Sequence, residues 1–113
     1  MSPPPTIAVL VRDLIFASRI SATARAVGAE VMLLRDPSAL ESLSADRLII
    51  DLDQPGAIDA AAQWKTRTAG QVIGFVSHVN ADAIARAKEA GFDQVLRRSD
   101  FVQSLPQLLS PTP

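Results

Sequence analysis

Asp51 closes the apolar run Leu48-Ile49-Ile50 and is followed by Leu52-Asp53-Gln54-Pro55-Gly56, a stretch that ends any regular element. A carboxylate at the carboxyl edge of a buried strand is where open α/β sheets bind ligands or do chemistry. There it can attack an electrophile, hold a hard cation, or simply accept hydrogen bonds from the amides of the turn before Pro55. Few other residues could share the work. His78 is the single histidine and has no Asp, Cys or second His at triad or metal-ligand spacing, which fits a surface loop residue. The absence of cysteine excludes thiolate nucleophiles, thiolate metal sites and disulfides. Five scattered glycines form neither a dinucleotide fingerprint nor a phosphate-cradling loop. No base, nucleophile and orienting group can be placed together, so an enzyme is not expected.

The elements that must position Asp51 follow from the apolar pattern. Short runs at Ile7-Ala8-Val9-Leu10-Val11, Val31-Met32-Leu33-Leu34, Leu48-Ile49-Ile50, Val72-Ile73-Gly74-Phe75-Val76 and Val95-Leu96 lack polar alternation. Strands of that kind are buried on both faces, as in a parallel sheet covered by helices. Between them lie segments of helical period. Asp13 can cap a helix with Phe16, Ile20, Ala24 and Val27 on one face and Gly28 as its left-handed stop. Asn80 can cap another, with Ala83, Ile84 and Ala87 inward and Gly91 beyond its end. Ala57 to Lys65 reads as a helix with Ile58, Ala61 and Ala62 inward and Trp64 partly buried against the sheet or, alternatively, exposed as a partner anchor. Ser38 to Leu43 reads as a short helix, and Ser99 to Leu109 as the last, with a kink or restart at Pro106. The expectation is an α/β three-layer sandwich of five βα units with a five-stranded parallel sheet.

Length and charge bound the rest. At 113 residues the chain suits one domain, expected over residues 6–109, with proline-rich tails at 1–5 and 110–113. Eleven basic and twelve acidic side chains, with a net charge of −1 and no run of one sign, leave no footprint for nucleic acid or for an anionic membrane surface. The first residues lack the basic region and apolar core of a secretory signal, and no apolar run approaches the ~20 residues of a membrane span. A cytoplasmic location is the expectation.

Five βα units with Asp-Leu-x-x-Pro-Gly after the third strand resemble the receiver domain of two-component response regulators, the CheY-like family. Ser77 at the end of the fourth strand matches the family's hydroxyl position. Ala90-Gly91-Phe92-Asp93 is similar to the Ala-Gly-Ala-Asp that leads into the fifth receiver strand, and Ile7 through Val31 lays onto a first unit without a gap. The resemblance spans nearly the whole chain and implies flavodoxin-like topology with strand order 2-1-3-4-5. It implies that Asp51 is the phosphoacceptor position. It also implies a divalent cation held by two carboxylates after the first strand, by the phosphoacceptor and by a backbone carbonyl, here that of Asp53. A lysine after the fifth strand completes the family's site.

The chain departs from that pattern. Val11 and Arg12 fall on the acidic pair, leaving the neighbouring Asp13, and Arg98, preceded by Arg97 and followed by Ser99, falls on the lysine. A valine and a guanidinium give a hard cation no oxygen ligand, and the planar fork of arginine does not place a phosphoryl oxygen as an ammonium does. If Arg12 reached Asp51 at ~4 Å, the Coulomb attraction would be about 4 kcal/mol before desolvation. The expectation is therefore a degenerate, or pseudo-receiver, module with no cofactor, whose Asp51 is locked in an internal ion pair. It would act through a protein partner or a homodimer, and because the chain ends just after its last helix it would stand alone. By the resemblance, the contact face is that of the Asn80-capped helix, the fifth strand and the last helix, including Ala85, Lys88, Glu89, Arg97 and Ser99. Two other readings stay open. In one, a histidine kinase phosphorylates Asp51, with Asp13, Asp51 and Asp53 as magnesium ligands. In the other, Arg12 and Arg98 hold a small anionic ligand at the strand ends.

Overall fold

The computed structural model describes residues 6–76 and 80–110; Ser77 and His78 lie outside the described residues, as do residues 1–5 and 111–113. The elements are β1 (Ile7–Leu10), α1 (Leu14–Ala26), β2 (Val31–Leu34), a 3-10 segment (Pro37–Ser42) and β3 (Arg47–Asp51). They continue with α2 (Ala57–Thr68), β4 (Gln71–Val76), α3 (Ala81–Glu89), β5 (Gln94–Arg97) and α4 (Arg98–Leu109). All strand pairs are parallel, in the order β2-β1-β3-β4-β5. The topology is the one the apolar pattern and the resemblance led to.

Alternation along the strands sorts the core into two layers. Ile7, Val9, Ile49, Ile73 and Phe75 face α1 and α4, where Phe16, Ile20, Phe101 and Leu105 cover them. Ala8, Leu10, Leu48, Ile50, Val72 and Val76 face α2 and α3, where Ala61, Trp64, Ala83 and Ala87 do so. The small alanines let α3 lie close to the sheet. Both expected caps are present: Asp13 accepts from the Ile15 and Phe16 amides, and Asn80 from that of Ala83. Gly28 and Gly91 follow their helices at φ 77° and 86°, the left-handed region a side chain resists.

Several expectations need correction. The second helical segment is a six-residue 3-10 turn started by Pro37, with Asp36 accepting from the Ser38 amide; so short a segment gains little from α geometry. It is tied to α2 instead, through Arg67 to the Leu40 and Leu43 carbonyls and the Trp64 indole to Leu43. Trp64 is consequently 1% exposed, neither partly buried nor a surface anchor. The two edge strands are not buried on both faces: Met32 and Leu33 of β2 are exposed, and Val95 and Leu96 of β5 are half-buried, because each edge strand has a neighbour on one side alone. The last helix begins at Arg98 and runs through Pro106 without a restart. Proline falls in its last turns, where the missing N–H costs only the bond to Val102. Arg47 then ties the helix end to β3 by donating to the Leu108 and Ser110 carbonyls.

Candidate functional site at the carboxyl edge of the sheet

The parallel strands deliver Asp51, Asp13 and Arg98 to one edge. Asp51, the last residue of β3, pairs in register with Phe75 on β4. Its Oδ1 accepts the Asp53 amide at 3.0 Å, so the carboxylate does close the turn, as the plainer reading has it. Leu52 beneath it is held against β4 because Gly74 has no side chain. Burial pushes the Asp51 carboxyl above its ordinary range. The Asp53 amide opposes that shift, the Asp53 charge adds to it, and Arg98 opposes it at longer range. In low-dielectric surroundings the neutral acid is favoured.

Val11 is buried, 3% exposed, and its amide donates to Leu34 of β2, carrying the ladder one residue past β1. The chain therefore leaves the sheet on the β2 side. Arg12 projects into solvent and its charge acts on Asp36, just after β2, which is held below the ordinary carboxylate range first by the Ser38 amide. The expected Arg12–Asp51 pair does not form. Arg98 pairs with Asp13, whereas Arg12 is exposed.

The fixed cation of the site is Arg98. Its guanidinium lies 4.2 Å above the Phe16 ring centroid and 3.4 Å from Asp13 Oδ2. Phe16 in turn packs on Phe75 and Phe101, whose rings stack 4.4 Å apart. Asp13 Oδ1 takes the Ile15 and Phe16 amides while Oδ2 faces Arg98. The Phe16 amide leads the effects that hold its carboxyl below the usual range, with Arg98 contributing. Among the described residues, no group of three or more His, Cys, Asp or Glu side chains is placed to hold a metal ion. The Asp13, Asp51 and Asp53 set does not fit a divalent cation, because Asp13 is spent on its helix and on Arg98. The proposed contact residues Ala85, Lys88, Glu89, Arg97 and Ser99 are all exposed.

Two residues of this edge escaped sequence reasoning. Phe16 was legible as core, but its role as a platform for a residue 82 positions later was not. Gln54 carries no signal in the sequence, yet it is 7% exposed.

No protein-family model matches the sequence, and no curated protein does. Solved structures match closely in shape. The receiver domain of the putative response regulator NarL from Mycobacterium tuberculosis shares 15% identity over 96% of this chain and 94% of its own, with a TM-score of 0.79. The phosphorylated cyanobacterial phytochrome response regulator RcpA shares 16% over 95% and 89%, at 0.77. The manganese-bound form of response regulator Rcp1 shares 14% over 93% and 91%, at 0.75. This is the receiver fold. On it, Asp51 is the last residue of β3 and Arg98 the first after β5. The receiver hydroxyl position, Ser77, falls outside the described residues.

Proposed function

We propose that this chain is a receiver-like signalling module that acts by binding protein partners, and that Asp51 is not phosphorylated by a magnesium-dependent route. The observation that carries the reading is the commitment of Asp13: one oxygen caps α1, the other meets an arginine seated on Phe16. A divalent cation in a phosphoacceptor site offsets charge on the transferring group, and the residues here give it no ligand set. Arg98 supplies a fixed positive charge instead. Burial pushes the Asp51 carboxyl above its ordinary range.

The partner face in this reading is the exposed surface of α3, β5 and α4, with Lys88, Glu89 and Arg97 as its charges. That assignment rests on fold analogy. A phosphoacceptor role for Asp51 is the rival reading, supported by its half-buried place at the strand end with one oxygen bonded to the Asp53 amide. Titration of the labelled protein with magnesium, followed by amide NMR, separates the two. The module reading expects no saturable shift at Asp51 or Asp53. A saturable shift that Asp51→Asn abolishes would establish the rival.

A further inference from the structure

Leu14 and Ile15 open α1 at 64% and 85% exposure, the two most exposed large hydrophobic side chains among the described residues. A lone exposed apolar side chain is ordinary, whereas an adjacent pair at the head of one helix face makes a patch. At about 100° per residue, the exposed side of the helix continues through Ser18 and Ala22 along its middle. Arg25 lies on the border that Leu14 begins and Arg19 on the border that Ile15 begins, both exposed. The helix carries no acidic residue, and neither arginine pairs with a carboxylate among the described residues. At its head, Asp13 is already paired with Arg98, and the Arg12 charge acts on Asp36. The face is therefore apolar at one end, small in the middle and positive on both borders.

Small residues between the borders let a second helix approach closely, since the distance between packed helices is set by the side chains at the contact. Unpaired arginines on either side call for carboxylates. An anionic membrane has the same sign, but a helix that lies in a bilayer surface buries a continuous apolar side. Here the middle of the face is Ser18 and Ala22, and the large apolar residues stop after the first turn. We propose that this side of α1 docks an acidic amphipathic helix of a partner protein. Apolar side chains of that helix cover Leu14 and Ile15 and fit over Ser18 and Ala22. Carboxylates on its two borders meet Arg19 and Arg25, which lie ~9 Å apart along the axis. The surface is separate from that of α3, which packs on the other layer of the sheet, and docking there does not depend on the reading of Asp51. Failure to bind such a helix and appearance of a phosphoryl adduct are distinct results.

The test uses a helical peptide of three repeats of Leu-Ala-Gln-Ala-Glu-Ala-Glu and its counterpart with lysine for glutamate, each titrated into the labelled chain and followed by NMR. Saturable shifts of the Ile15, Ser18, Arg19 and Ala22 amides are expected with the glutamate peptide, and binding of the lysine peptide weaker by about ten-fold or more. Ile15→Ser should weaken binding roughly ten-fold and leave the melting temperature unchanged, because the side chain it replaces already stands in solvent. Arg19→Gln combined with Arg25→Gln should narrow the gap between the two peptides. Absence of saturable binding, shifts confined to other elements, or no preference for the glutamate peptide would each overturn the proposal. Ile15-dependent sedimentation with vesicles of phosphatidylserine and phosphatidylcholine, without peptide binding, would overturn it in favour of a membrane surface.

Discussion

Gly74→Ala puts a single methyl group under the Asp51 turn. Gly74 sits in the middle of β4, in register with Ile50 and Val95. A Cβ there would lie 2.9 Å from Leu52 Cδ1 and 3.0 Å from its Cδ2 and Cγ. Carbon atoms in contact prefer about 3.5–4.0 Å, so Leu52 must retreat by roughly half an ångström or more. Three atoms of a branched side chain clash at once, and Leu52 is 5% exposed with little room to turn. Overpacking of this kind costs about 1–3 kcal/mol, against which alanine regains about 0.5–1 kcal/mol of chain entropy. The net expectation is a loss of ~1–2 kcal/mol, or about 4–8 °C in melting temperature for a domain of this size. Thermal melts by circular dichroism read it directly. Leu52→Ala alone should cost about 2–5 kcal/mol, and the double variant should be clearly more stable than the sum of the two losses, because the new methyl fills part of the space Leu52 leaves. Strict additivity, or a Gly74→Ala protein as stable as the parent, would refute the account of how β4 supports the Asp51 turn.

Other consequences follow from the same geometry. Because burial raises the Asp51 pKa above its ordinary 3.8, ionising it in the folded protein is unfavourable. That penalty is absent below about pH 3.8, grows as pH rises toward the folded pKa, and is complete above it. Asp51→Asn should therefore match the parent in acid and exceed it in stability at neutral pH; urea melts across pH check this, and a variant less stable at pH 7 would contradict it. Phe101→Ala removes a fully buried ring stacked on Phe75, with an expected loss of about 3–5 kcal/mol in urea unfolding. Asp93 accepts from Lys65 and from the Val72 amide, which together outweigh the effect of burial and lower its pKa. Its contribution is present above the ordinary carboxylate pKa and lost as pH falls through the lowered value. Lys65→Met should accordingly flatten the acid limb of the stability profile.

Much of the fold was legible because local chemistry and global layering agree. Apolar runs without alternation named all five strands, of which β1, β3 and β4 are buried beneath helices, and Asp13, Gly28, Asn80 and Gly91 marked helix ends where they stand. The same pattern misled at β2 and β5, since an edge strand and a central one can share a composition and strand order alone decides which is covered. Trp64 was ambiguous because its burial depends on a 3-10 segment folding back to offer the Leu43 carbonyl. At the site, the sequence located the carboxylates and the arginines but not their pairing. Which neighbour a residue past a strand end turns toward depends on strand order and on where the ladder stops. Arg12 therefore went to the β2 side, and Asp13 found Arg98 across 85 positions of chain. Gln54 gave no signal at all, because burial of one polar turn residue is decided by the packing of α2 and α3 around it.

The central claim is that Asp13 is committed to capping α1 and to Arg98, so that no divalent cation assembles beside Asp51. Incubation of the full chain with acetyl phosphate and magnesium, read by intact-protein mass spectrometry, addresses it most directly. The expected result is no stoichiometric phosphoryl adduct, with or without the metal. A single magnesium-dependent adduct that disappears in Asp51→Asn would contradict the account.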